Sequence, residues 1–380
     1  MFISGLSLTD FRSHKKTQLQ ADAGLVILTG ENGVGKTNIL EAISLLSPGR
    51  GFRGSQLSDL IRREGEGGFA ISAKLHPLAV SGVVDPVTIG IGLTPKASSR
   101  QVRVNGVATS ANSLSEWLAI LWLTPAMDRL FLEGASVRRR FLDRLTLTIF
   151  PSHARHYTRY EAAMRQRNKL LAEEKGYDPL WLDGLEQMMA EQAANIIFFR
   201  QQLVQQLSEQ INQQEDSPFA KADLFLDDGI EITEPLGGAS ADQQPDIMPY
   251  LQNIWQKSRS RDAAIGRTLQ GPHRADLKVA HHAKSMPADQ TSTGEQKALL
   301  LGLILAQVNL ITEKNGQPPV LLLDEVAAHL DPSRREILFE ILRSKGGQVW
   351  MSGTESSLFD KAGSSACRFH LDKEQILTDF

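Results

Sequence analysis

The chain has 380 residues, 41% apolar and 22% charged, with a formal net charge of -3 and one cysteine. That length allows one large domain or two ordinary ones with a real core, and the near-neutral charge excludes a bulk electrostatic drive toward nucleic acid, so DNA binding would need a local basic face. A lone Cys367 excludes an intramolecular disulfide framework and a cysteine zinc site, and suits a reducing cytoplasm.

The opening MFISGLSLTDFRSH carries Asp10, Arg12 and His14 where a signal peptide needs an apolar centre, so no export signal is expected. Residues 2–9 and 25–29 read as strands. The second runs into GENGVGKT, residues 30–37, and then into a helix over residues 38–46 that Pro48 and Gly49 stop. Strand, glycine-rich turn and helix together make the context of a phosphate-binding loop. Gly30, Gly33 and Gly35 permit a sharp turn with inward N–H groups, to which Glu31, Asn32, Val34 and Asn38 also contribute backbone. The helix start adds free N–H groups and the positive end of its dipole. Lys36 would reach the β- and γ-phosphates of ATP, and the Thr37 hydroxyl would coordinate Mg²⁺.

Arg50, Arg53, Arg62 and Arg63 follow closely, either as a solvated face or as a nucleic-acid phosphate patch. From residue 68 to 106 short runs such as FAISAKL, VTIGIGL and RQVRVNGV predict an antiparallel layer, with a hairpin at Asn105-Gly106. Residues 113–267 show helical periodicity, with Leu114, Trp117, Leu118 and Leu121 on one face and later Leu182, Leu185, Met188, Met189 and Gln192 on another. Pro125, Pro151, Pro179 and Pro218 break that stretch, which leaves no room for a long coiled-coil arm. A short strand is expected at residues 230–232. Asn168-Lys169 precedes leucines and not the aspartate that a guanine-selective loop requires. Arg138, Arg139, Arg140 and Arg144 share a predicted helix with Asp143, either salt-bridged or facing DNA.

In the last third, TSTGEQ precedes the apolar run KALLLGLILAQV. Ser292 and Gly294 there offer a hydroxyl and free N–H groups at a helix start, an anion site or a plain cap. Residues 299–311, interrupted by Gln307 and Asn309, read as a core helix too short for a membrane span. Val320–Leu323 reads as a buried parallel strand ending in Asp324-Glu325. Asp324 would hold Mg²⁺, and Glu325 would polarise the water that attacks the γ-phosphate.

GENGVGKT, STGEQ, VLLLDE and HLD, in that order and with the first far from the rest, resemble the split head ATPases of the SMC and DNA-repair branch of the ATP-binding-cassette family. LTDFRSH, GENGVGKTNILEAI, residues 123–144, GPHRADL and STGEQKALLLGLILA narrow the resemblance to the RecF family. The resemblance implies that Ser292 and Gly294 contact the γ-phosphate bound by a second copy, so that ATP drives a head-to-head homodimer, and that His329-Leu330-Asp331 crosses the interface. It places the metal-sensing position near Asp128, and lets Ser352 or Thr354 stand in for the switch histidine of transporter-type cassettes. It further implies duplex DNA binding beside single-stranded gaps, slow DNA-stimulated ATP hydrolysis, and work with RecR, RecO and RecA.

The expected fold is α/β: an ABC-type, SMC-head-like P-loop lobe from residues 1–112 and 268–380, with a mainly helical lobe, residues 113–267, inserted. A nucleotide-dependent scaffold, or an ABC-type ATPase acting on another cargo, stands as the alternative function.

Overall fold

Four nearly unbroken apolar segments, Leu25–Thr29, Ile120–Leu123, Val320–Leu323 and Val349–Ser352, are buried along their whole length. Strands covered on both faces need that composition. They pair in parallel, Cys367–Leu371 joins them beside Leu25–Thr29, and Ile376–Asp379 closes one edge antiparallel. A second six-stranded sheet is antiparallel throughout, in the order His14–Gln20, Phe2–Phe11, Phe69–His76, Val87–Leu93, Gln101–Val104, Val107–Thr109. Phe69–His76 alternates buried and less buried residues, so one face meets the core and the other does not. Its last hairpin turns on Asn105 and Gly106, whose φ values of 49° and 82° fit the primed turn that Asn-Gly favours.

The computed structural model describes residues 1–78, 85–95, 97, 99–173, 178–213, 218–231, 247–372 and 376–379. The chain forms two compact units, one of Met1–Arg129, Gln213–Ala220 and Thr293–Phe380, the other of Leu130–Asn212 and Lys221–Ser292. In the first, both sheets and the helix Lys36–Ser44 share one core that includes Ile3, Leu8, Leu28, Ile39, Ile43 and Trp350. Gln348, 1% exposed, fastens the two sheets: its amide accepts from Ile3 N and donates to Ile3 O and Asp22 O, each at 2.9 Å. An apolar side chain there would leave those backbone groups unpaired.

The second unit contains the helices Ala135–Ile149, His153–Leu171, Pro179–Gln213 and Ile247–Ile265 and an antiparallel sheet of Met286–Pro287, Asp276–His281 and Ala222–Asp227. Three of its helices are joined by charge. Arg167, fully buried, donates to Glu186 and Asp262 at 2.8 Å each, to Thr268 Oγ1 at 3.0 Å and to Trp255 O at 2.9 Å.

Several expectations meet a different structure. Leu121 lies in the parallel strand Ile120–Leu123, not on a helix, because four consecutive apolar residues do not distinguish strand from helix by period. Met188 is 47% exposed although Leu182, Leu185, Met189 and Gln192 are buried as expected. The strand in the region after residue 213 is Ala222–Asp227; of the expected residues 230–232, Ile232 lies outside the described residues. The polar strand His14–Gln20 was not anticipated at all. The chain passes between the two units at residues 129/130, 212/213, 220/221 and 292/293, whereas the expected lobes divide after residues 112 and 267. Among the described residues no helix is long and apolar enough to cross a membrane, and residues 299–311 are the largely buried middle of the helix Thr293–Asn315.

Arg167→Met leaves Asp262 without its arginine and Glu186 with Arg259 alone, and is expected to cost about 3–5 kcal/mol in denaturant unfolding. Arg165→Met, at a side chain 70% exposed on the same helix, is expected to stay within about 0.5 kcal/mol of wild type.

Candidate functional site: a phosphate loop and its carboxylates

The loop between Leu25–Thr29 and Lys36–Ser44 turns on Gly30, Gly33 and Gly35, with φ values of 139°, 87° and 106°. Such angles favour glycine. Close approach adds a second requirement at two of them: a Cβ on Gly30 would overlap the Leu371 carbonyl oxygen, and one on Gly35 would lie 2.6 Å from His14 Nε2. Glu31, Asn32 and Gly33 form the exposed tip, and Val34 packs half-buried against the core. Lys36, 4% exposed, folds its ammonium back onto Gly30 O at 2.6 Å and Glu31 O at 2.7 Å. Burial lowers its pKa, and Glu325 and Asp324 act in the opposite direction. The ammonium thus sits inside the loop, where a bound phosphate chain would meet it.

The turn after the first strand braces the helix start. Arg12 donates twice to Glu41, at 2.9 and 2.7 Å, Asn38 donates to Ser13 Oγ at 2.9 Å, and His14 Nε2 donates to Gly35 O at 3.2 Å. Successive turn residues therefore meet helix positions one turn apart, since residues 35, 38 and 41 share a face. The bond to Gly35 O puts the ring proton on Nε2 of a neutral His14, so Nδ1 accepts from the Thr17 hydroxyl at 2.9 Å. Burial lowers the pKa of His14, and the bond to Gly35 opposes it. Glu41, fully buried, also takes Arg53 at 2.8 Å. Sequence reasoning gave Arg12, Ser13, His14 and Glu41 no role; their signal is a polar triplet directly after the first strand.

At the carboxyl end of the parallel sheet, Asp324 Oδ1 accepts from Thr37 Oγ1 at 3.0 Å and from Ser352 Oγ at 2.6 Å. Ser352 Oγ also accepts the Glu325 N–H at 3.0 Å. Glu325 has φ of 56°, a conformation uncommon for a non-glycine residue and one that recurs at functional sites. Residues 37, 324, 325 and 352, distant in sequence, thus form one hydrogen-bonded group. Of the two candidates for the switch position, Ser352 is the one in this group.

TSTGEQ, the signature segment in the resemblance to ATP-binding-cassette proteins, is placed differently. Ser292, Thr293 and Gly294 are exposed at the start of the helix Thr293–Asn315, and a Cβ on Gly294 would meet nothing within 4 Å. Ser292 belongs to the second unit and Gly294 to the first. Asp331 caps the helix Pro332–Ser344 by accepting from Arg334 N at 3.0 Å, and the His329 side chain lies outside the described residues. Asp128 pairs with Lys297 at 2.9 Å.

The basic clusters are partly committed within the fold. Arg53 serves Glu41 and Asn38, and Arg62 serves Asp10 and Glu64, while Arg50 and Arg63 are exposed. Arg138 pairs with Asp276, Asp143 lies between Arg200 and His153, and Arg140 is exposed.

The profile of the RecF/RecN/SMC N terminal domain matches residues 2–376. A DNA replication and repair protein RecF from Rhizobium rhizogenes (strain K84 / ATCC BAA-868) is 45% identical over 370 residues, 96% of each chain. One from Brucella suis biovar 1 (strain 1330) is 46% identical over 376 residues, 98% of this chain and 95% of the relative. A solved structure of the recombination mediator protein RecF with ATP, in the RecFOR pathway, is similar with a TM-score of 0.85 and 26% identity, covering 100% of this chain and 98% of that one. An Smc head domain from Pyrococcus furiosus bound to the C-terminal domain of ScpA shares the fold, with a TM-score of 0.54 and 17% identity, covering 100% of this chain and 96% of that one.

Gly33→Ala, in open space, is expected to cost about 1–2 kcal/mol from backbone handedness alone. Gly35→Ala also collides with His14 and Ser13 and is expected to cost about 1–3 kcal/mol more. Thermal unfolding without nucleotide compares the two.

Proposed function

The chain belongs to the RecF/RecN/SMC N-terminal-domain family, in its RecF branch, and from that premise we propose that it is an ATP-gated DNA-binding protein of replication and repair. The observation that carries the reading is the group Thr37, Asp324, Glu325 and Ser352, held together by hydrogen bonds at one end of the parallel sheet, with the Lys36 ammonium folded into the adjoining loop. ATP would lie with its β- and γ-phosphates against Lys36 and the N–H groups of residues 30–38. Thr37 and Asp324 fit Mg²⁺, which takes a few hard protein oxygens and completes its shell with phosphate and water. When bound, the metal supplies charge stabilisation at the phosphates. Glu325 orients and deprotonates the attacking water, and Ser352 fixes the Glu325 backbone while holding the Asp324 carboxylate.

The exposed Ser292 and Gly294 support a two-copy arrangement in which the signature of one protomer completes the ATP site of its partner. Two ATP molecules are then buried between protomers, and hydrolysis acts as a timer and not as a power source. The DNA held by this dimer is duplex beside a single-stranded gap, without base preference, since the sequence shows no base-reading module. RecR is the direct protein partner, RecO acts through it, and RecA is loaded on the gap by cytoplasmic machinery.

Lys36→Arg is expected to weaken ATP binding at least about tenfold in equilibrium titration, because a planar guanidinium cannot take the place of the compact ammonium in its buried seat. Glu325→Gln is expected to bind ATP like wild type and to slow single-turnover hydrolysis at least about 100-fold. Normal hydrolysis by that variant would remove Glu325 from the mechanism. Undetectable turnover in the wild type, with DNA present, would favour the nucleotide-dependent scaffold.

A further inference from the structure

The segment GPHRADL has no part in the nucleotide group, yet buried and half-buried side chains of the second unit converge on it and on the residue before it. Trp255 Nε1 donates to Gln270 O at 2.9 Å, Arg200 to Pro272 O at 2.6 Å and Arg139 to Ala275 O at 3.0 Å. His273 Nε2 donates to Thr268 O at 3.0 Å, so its Nδ1 accepts from the Tyr160 hydroxyl at 2.7 Å. Arg138 closes the far end with two bonds of 2.7 Å to Asp276. Gly271 has φ of 134°, and a Cβ there would lie 2.5 Å from the Tyr160 hydroxyl.

The short turn Pro272–Arg274 is therefore fixed from several sides, and it presents one cation outward. Arg274 is exposed and, among the described residues, its side chain makes no hydrogen bond or ion pair. A guanidinium on a mobile loop would need no explanation. One on a turn held by this many polar bonds is pre-organised, and its backbone loses little further freedom when a ligand arrives. Arg139 is bonded to Ala275 O, next to Arg274, which leaves most of its donors for other use. Burial, with Arg139 and Arg274 nearby, pushes the His273 pKa down to about 4, so the ring is neutral and adds no charge beside these arginines. Arg140, exposed one position along from Arg139 on the helix Ala135–Ile149, adds positive charge to this unit.

We infer that Arg274, with Arg139 beside it, is a phosphate-binding site for the sugar-phosphate backbone of DNA. Forked guanidinium donors match phosphate oxygens, and backbone contact suits a protein without a base-reading element. The inference rests on the DNA-binding reading above. A nucleotide phosphate is the other source of the same chemistry, and the test separates the two.

The full-length chain, with ATP and Mg²⁺, is titrated into a labelled gapped duplex across a salt series. Arg274→Ala is expected to lose about tenfold in DNA affinity. It should also lower the slope of log affinity against log salt by about one, with ATP affinity and thermal midpoint at wild-type values. Arg274→Lys is expected to recover part of the affinity, since it restores charge without the fork. DNA should also raise the His273 titration midpoint in NMR of the wild type, because a nearby phosphate favours the imidazolium. Equal DNA affinity and slope in Arg274→Ala and wild type overturn the inference and leave the DNA-binding reading standing. Weakened ATP affinity with unchanged DNA binding reassigns the site to nucleotide and overturns it as well. A wild type that binds no duplex in any nucleotide state overturns both.

Discussion

Asp324 stands where strand ends of the parallel sheet converge, and the register of that sheet is what puts it there. Leu323 lies level with Met351 and with Leu123, and Met351 with Ile27. The next residues along are therefore Asp324 and Ser352, and the neighbouring strand runs on into the phosphate loop. Pairing continues past the strand ends, with Asp324 N donating to Leu123 O at 2.9 Å and Gly353 N to Leu28 O at 3.0 Å. A slip of one residue would turn Asp324 to the other face and separate it from Thr37 and Ser352. The apolar strands that make the core and the carboxylate that would hold the metal are thus two consequences of one alignment.

That alignment is why so much of the site was legible in the sequence. Buried parallel strands announce themselves as apolar runs, and the residues that end them, Gly30, Asp324-Glu325 and Ser352, make up much of the candidate site. The same rule failed at Ile120–Leu123, where ILWL continues a helical pattern begun at Leu114 and only the pairing with Val320–Leu323 decides for a strand. It failed again at His14–Gln20, whose alternation is hidden by lysines and glutamines on the open face. The brace formed by Arg12, Ser13 and His14 was invisible for a related reason. Its partners on the helix Lys36–Ser44 are more than twenty residues away, and nothing local marks Glu41 as the buried acceptor of two arginines.

Charge clusters were the least legible feature. Runs of arginine in sequence look alike, but the fold sorts them by what they meet: Arg62, Arg138 and Arg167 hold carboxylates from buried or half-buried positions, whereas Arg50, Arg63, Arg140 and Arg274 are exposed. Their numbers in the sequence said nothing of this division. A net charge of -3 is compatible with DNA binding only if such exposed arginines are gathered on a surface, so the sorting by burial has a functional consequence.

The central claim is that ATP converts this chain from a single protomer into a dimer that holds DNA. Light scattering on the wild-type protein, alone, with ATP and Mg²⁺, and then with a gapped duplex, tests it most directly. The account predicts the mass of one chain without nucleotide, twice that mass with ATP and Mg²⁺, and a further increase from bound duplex only in the ATP state. A mass of one chain under every condition would contradict it, leaving a nucleotide-binding fold without the two-copy mechanism.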